Sequence, residues 1–181
     1  ACSNRNSQEG LMALNFNLFP RYQKIAQWQK DTIAAFDLKS IDTDHGNNNS
    51  NEVLEIVTPG LEQIGYQVEQ GGSRIHLPVL YGLNGKVEKY FEADAYCPDK
   101  KAVLEVEAGR AVPNNAFLKD LFEACVMQDV EHLVIAVCNS YKPPSAKTPQ
   151  KHFQTVSVWM DTFFSSKRVQ LPLDSVLIIG Y

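Results

Sequence analysis

The stretch FEADAYCPDKKAVLEVEAGR, Phe91 to Arg110, decides how this chain is read. Two strand-like segments flank Pro98-Asp99-Lys100-Lys101, which has the composition of a loop. If that tetrapeptide turns the chain, Cys97 pairs with Ala102, Asp94 lies opposite Glu105, and Glu92 lies opposite Glu107. Residues opposite each other share a face, as do residues two apart. All four carboxylates then project to one side, and Phe91, Ala93, Leu104 and Val106 project to the other, into a core. Like charges directly opposite each other destabilise a sheet by about 0.2–1 kcal/mol per pair. Full solvation relieves this, as does neutralisation by Lys89, Lys100 or Lys101, or a bound divalent cation. Mg²⁺ suits such a face, because it takes one or two carboxylates and completes its shell with water and phosphate oxygens. Spacing alone leaves all three open.

Outward from the hairpin, the pattern is mixed. Pro20 to Phe36 reads as a helix with a broken apolar stripe. The stretch from Asp42 to Asn51 reads as a polar loop. A second helix starts near Asn49, is kinked or restarted at Pro59, and stops at Gly65. Tyr66 to Glu69 and Arg74 to Tyr81 read as strands, and Asn84-Gly85 as a type I′ turn into a long strand from Lys86 to Tyr96. Pro113 and Asn114-Asn115 open a third helix with Leu118, Leu121, Phe122 and Cys125 on one face. Glu131 to Cys138 is an apolar run of buried-strand length, Phe153 to Phe164 is helical, and Val176 to Ile179 is a closing strand. The expected class is α/β: a mixed sheet with a central β-meander, flanked by helices.

With 181 residues, the chain is expected to form one domain, residues 1 to 181. The net charge of −4 supplies no general attraction to nucleic acid or membrane. No apolar run approaches the roughly 20 residues of a membrane span, so no membrane partner is expected. The polar start ACSNRNSQEG is not a signal peptide as it stands. Cys2, Cys97, Cys125 and Cys138 form no CxxC pair, and His45, His76, His132 and His152 lie far from them in sequence. Free thiols in a reducing cytoplasm are expected rather than a zinc site.

Asp94, ten intervening residues, and then Glu105-Val106-Glu107 after the apolar lead Ala102-Val103-Leu104 resembles the PD-(D/E)XK nuclease superfamily. The resemblance covers residues from about 49 to 138 and implies a restriction-endonuclease-like fold. Two positions depart from the pattern: Ala93 replaces the usual proline, and Glu107 replaces the usual lysine.

The resemblance implies that Asp94 and Glu105 ligate Mg²⁺, with the backbone carbonyl of Val106 as a third ligand and Mn²⁺ as a substitute ion. Glu107 would accept a proton from the attacking water or help to hold metal. Glu52 is a candidate acid from the preceding helix, with Glu55 one turn on as a fallback. Asn49 to Glu52 also has the spacing of a capping box, which leaves two roles for Glu52. Glu92 is expected to flank the site. Arg110 could meet a phosphate or pair with one of the acids, and Lys142, Lys147 and Lys151 could touch a DNA backbone or keep their loop soluble. The implied activity is metal-dependent DNA endonuclease, with DNA as partner and a homodimer as an open assembly. The alternative is a catalytically inactive nucleic-acid-binding or interaction module on the same fold.

Overall fold

A computed structural model describes residues 14–37, 41, 48–143, 146–166 and 168–181. Most of the expected polar loop, including His45, lies outside the described residues, as does Cys2.

The main sheet has six strands in the order β1-β8-β7-β6-β5-β2. These are β1 (Asn15–Phe19), β2 (Gln67–Val68), β5 (Ala95–Cys97), β6 (Ala102–Glu107), β7 (His132–Val137) and β8 (Ser175–Gly180). The central β6, β7 and β8 run parallel, while β1, β5 and β2 add antiparallel edges. The mixed α/β class follows, with helices on both faces. The helices are α1 (Gln27–Ala35), α2 (Ser50–Ile64), α3 (Ala116–Val126) and α4 (His152–Ser165).

Strand alternation sorts the core into two layers. Leu104, Val106, Val134, Ala136, Leu177 and Ile179 pack with Val53, Leu54, Val57 and Leu61 of α2 and Ala35 of α1. Val103, Leu133, Ile135, Val137, Val176 and Ile178 pack with Phe117, Leu121 and Ala124 of α3 and Val156 and Met160 of α4. The steps from β6 to β7 and from β7 to β8 move the same way across the sheet. Right-handed crossovers therefore put both connecting helices, α3 and α4, on the same face.

Several expectations change. The expected meander is not one sheet. The long strand from Lys86 to Tyr96 breaks at Asp94 into β4 (Val87–Ala93) and β5. β4 pairs only with β3 (Ile75–Tyr81), in a separate two-stranded sheet. The hairpin register from Cys97↔Ala102 to Ala95↔Leu104 is as expected, but it ends there. Glu92 faces His76 rather than Glu107. Ala93 and Phe91 belong to the α3–α4 layer, not to the layer of Leu104 and Val106.

The first helix is shorter than expected, because residues 20–23 turn the chain and residues 24–26 are irregular, with Ala26 extended, before Gln27. The β1 edge strand was not expected. α2 continues past Pro59 as one helix. Gly60 lies against α1: a Cβ there would sit 2.9 Å from Ala35 Cβ. The Asn84-Gly85 turn has φ of 60° and 72° at its two central residues, which is the backbone a type I′ turn demands.

Candidate functional site

Asp94 sits at the break between the two sheets. Past Ala95 no strand flanks β6 on that side, and the Val106 N–H that a longer β5 would have taken needs another acceptor. The Asp94 carboxylate supplies it: Oδ2 accepts from Val106 N–H at 2.7 Å. The Asp94 carbonyl accepts from Glu69 N–H at 2.8 Å. The side chain is thus aimed along β6 by the polar group it satisfies.

Glu105 and Glu107 alternate with Val106 on β6, and they lie in register with Ile135 and Val137 of β7. Their side chains share the α3–α4 side with Val103, while Val106 is buried on the other side. They stand at the carboxyl end of a parallel strand, where open α/β sheets place ligand sites. Across from them α3 contributes Asp120. Only 7% of Asp120 is exposed, and its Oδ2 is buried with no hydrogen-bond partner.

These four acids perturb one another. Burial is the largest cause in each case, and it favours the neutral form. The Asp94 carboxyl is raised by burial and by Glu69, against the pull of the Val106 N–H and of Arg74 and Lys119. Glu105 is raised well above the usual range by burial, then by Asp94 and Asp120. Glu107 is pushed up to about 6 by burial and Asp94, with Lys119 and Arg110 opposing. Asp120 is pushed up to about 8 by burial, with Glu107 and Asp94 adding repulsion. Lys119 is the cation common to all four, but its Nζ ion-pairs with Glu123 at 3.3 Å. A pocket of about 420 Å³ between β4 and α3 adjoins this corner and is lined by residues 88–92, Lys119 and Glu123.

The other candidates are placed elsewhere. Glu52 closes a capping box: its Oε2 accepts from Asn49 N–H at 2.8 Å, and its own N–H donates to Asn49 Oδ1 at 3.1 Å. Glu55 is exposed on α2. Glu92 ion-pairs with Arg74 at 3.2 Å and lies 3.6 Å from His76 Nε2 on the small sheet. Arg110 is exposed and acts on Glu107 through its charge. Lys142, Lys147 and Lys151 are exposed, and residues 144–145 between them lie outside the described residues.

Asp120 and Lys119 were missed. The sequence signal was an acid inside an apolar stripe, since Asp120 shares its face with Phe117, Leu121 and Ala124. The expected stripe of Leu118, Leu121, Phe122 and Cys125 shares Leu121 with that buried face, while Leu118 and Cys125 flank it half-buried and Phe122 is 66% exposed.

The four acids can share protons or hold a hard cation through oxygen. They are not drawn tightly together. Among the described residues, the group of three or more ligand side chains whose atoms all lie within 4.8 Å of one another is Glu131, His132 and Asp174. That group sits at the opposite end of the parallel strands, where Lys101 Nζ ion-pairs with Glu131 at 2.5 Å. No helix among the described residues is long and apolar enough to cross a membrane. No protein-family model matches the chain, and no curated protein does.

Proposed function

We propose that the chain is a metal-dependent DNA endonuclease of the restriction-endonuclease-like type. The observation that carries this reading is the set of half-buried carboxylates of Asp94, Glu105 and Glu107 at one end of the sheet, whose charges act on one another and on the buried Asp120, whose Oδ2 has no hydrogen-bond partner. Burial without neutralisation is costly for carboxylates, and a hard cation offsets that cost. Mg²⁺ keeps several waters in its shell, so it does not require three carboxylates within 4.8 Å of one another.

Asp94, Glu105 and the Val106 carbonyl would hold the ion, with Mn²⁺ as a substitute. A divalent ion held there would supply Lewis-acid chemistry, polarising a phosphodiester and lowering the pKa of an attacking water. The chain supplies the rest. The Val106 N–H fixes the rotamer of Asp94. Glu107, pushed up to about 6, is largely ionised at neutral pH and can take a proton from the water. A lysine at that position could only donate in its charged form. Arg110 and Lys119, whose charges act on Glu107, would attract a phosphate approaching from the acid side. The three described thiols, Cys97, Cys125 and Cys138, are unpaired and suit a reducing cytoplasm.

The test is plasmid and single-stranded DNA incubated with Mg²⁺, Mn²⁺ or EDTA, using wild type, Asp94→Asn and Glu105→Gln. Cleavage should require metal and vanish in both variants while their circular dichroism stays native. Equal cleavage by wild type and either variant in Mg²⁺ would sink the proposal. The second reading, an inactive binding or interaction module, draws on the openness of the acid set and the net charge of −4. It expects wild type to bind no Mg²⁺ in a titration.

A further inference from the structure

Two loops at the carboxyl end of the parallel strands carry cations and no acid. Residues 108–115 follow β6 and hold Arg110, and residues 138–151 follow β7 and hold Lys142, Lys147 and Lys151. The chain as a whole has 21 acids against 17 lysines and arginines, so two loops free of acid run against the average. β6, β7 and β8 are parallel, and both loops leave the sheet at the end where Glu105 and Glu107 stand. The loops are also packed against each other. A Cβ on Gly109 would lie 2.6 Å from Tyr141 Cε2, an approach that glycine alone permits. Tyr141 exchanges backbone hydrogen bonds with Gln150: its N–H donates at 2.9 Å and its carbonyl accepts at 2.7 Å. Arg110 follows Gly109, Lys142 follows Tyr141, and Lys151 follows Gln150. The three cations thus stem from neighbouring backbone around one packed ring. The root of the second loop is fixed as well. Asn139 donates from its backbone N–H to the Tyr181 carbonyl at 2.7 Å and from Nδ2 to the Gly180 carbonyl at 3.1 Å. Arg110, Lys142 and Lys151 are exposed, and none of them is in an ion pair among the described residues. Arg74, Lys101 and Lys119, by contrast, are each held by a carboxylate.

We propose that Arg110, Lys142 and Lys151 form a rim that grips the phosphates of a DNA strand beside the acids. This rests on the nuclease reading given above and adds to it the surface that holds the substrate. A phosphodiester is an anion, and the acids at this end of the sheet repel it. Cations fixed next to those acids offset the repulsion where the strand has to come close. Contacts of this kind set position and register on the nucleic acid and carry no sequence information. They leave a measurable signature. Each duplex phosphate neutralised by a lysine or arginine releases counterions, so the logarithm of the binding constant falls with the logarithm of salt by about 0.9 per contact.

The probe is a fluorescently labelled DNA duplex in EDTA, where the nuclease reading expects no hydrolysis. Anisotropy gives its affinity across a range of KCl for wild type and two triple variants. The rim variant is Arg110→Gln, Lys142→Gln, Lys151→Gln. The control is Lys24→Gln, Lys100→Gln, Arg168→Gln, which removes the same charge at the opposite end of the parallel strands. All of these side chains are exposed, so the substitutions leave the core untouched. The rim variant should bind more weakly than wild type, with a salt slope shallower by about 2.7. The control should keep the wild-type slope. Equal slopes in wild type and the rim variant overturn the rim. Equal losses in the two triple variants overturn it too, because net charge would then be responsible. So does a wild type that binds no duplex even at low salt. The nuclease reading is judged apart from this, by wild-type cleavage in Mg²⁺: cleavage together with an unchanged rim-variant slope removes the rim alone.

Discussion

Replacing Asp120 with asparagine should make the metal-free protein more stable, and only above mildly acidic pH. In the unfolded chain Asp120 titrates near its usual value of 3.8, whereas in the folded protein burial, Glu107 and Asp94 push it up to about 8. Between those values the folded state holds a proton that the unfolded state has lost. Stability therefore falls as pH rises through the window, with no penalty below about 4 and the full penalty above about 8. At about 1.4 kcal/mol per pH unit the window is worth about 6 kcal/mol. That figure is a ceiling, because the repulsion between Asp120 and Glu107 also raises Glu107. Ordinary domains have about 5–15 kcal/mol in total, so the effect is readily measured. His132 and His152 complicate the wild-type profile alone: burial lowers both, which adds stability as pH rises towards 6.5. The difference between wild type and Asp120→Asn cancels them. Urea unfolding in EDTA, read by tryptophan fluorescence, should give near-equal stabilities at about pH 4.5 and an advantage of several kcal/mol for the variant at about pH 8.5. A pH-independent difference in EDTA, or a wild type more stable at both pH values, would refute the electrostatic argument.

Two further expectations concern the scaffold. Asn49→Ala removes the side chain that accepts from Glu52 N–H and should cost about 1 kcal/mol in chemical denaturation. Glu52→Gln, by contrast, should leave any DNA cleavage unchanged, and a collapse of cleavage would restore Glu52 to the active site. Gly60→Leu should cost about 1–3 kcal/mol through overpacking, because even its Cβ would lie 2.9 Å from Ala35 Cβ and 3.3 Å from Ala35 Cα. A neutral thermal melt would show that α1 and α2 can separate at no cost.

Much of the fold was readable because it is local. Apolar runs marked β7 and β8, Asn84-Gly85 fixed its turn, and the Pro98–Lys101 loop set the β5–β6 register. Glu105 and Glu107 follow from that register and the period of two. β1 was not readable, since Asn15-Phe16-Asn17 shows alternation that only pairing with β8 makes a strand. Helix phase was the costlier error. α3 is apolar on more than one side, so centring the stripe on Leu118, Leu121, Phe122 and Cys125 instead of Phe117, Leu121 and Ala124 rotated the helix by roughly 80° and turned Asp120 away from the sheet. Only the packing of α3 on β6 and β7 decides between those phases.

The break at Asp94 shows why a continuous hairpin would have made a poorer site. Had β4 run on beside β6, the backbone of Ala93 would have taken the Val106 N–H, and Glu92 would have faced Glu107. Each acid would then have stood in a flat, wet row, where repulsion is small and no cation is needed. Instead the chain leaves the main sheet at Asp94. Glu92 departs with β4 to pair with Arg74, and Asp94 turns its carboxylate into the vacated ladder position. That move leaves Asp94, Glu105 and Glu107 half-buried near α3, where their charges act on one another. The residues that looked like one charged strand face are thereby divided, with one acid neutralised on the small sheet and three concentrated beside Asp120. Burial first, and like charge second, raises their affinity for protons, and the same negative field would attract a divalent ion.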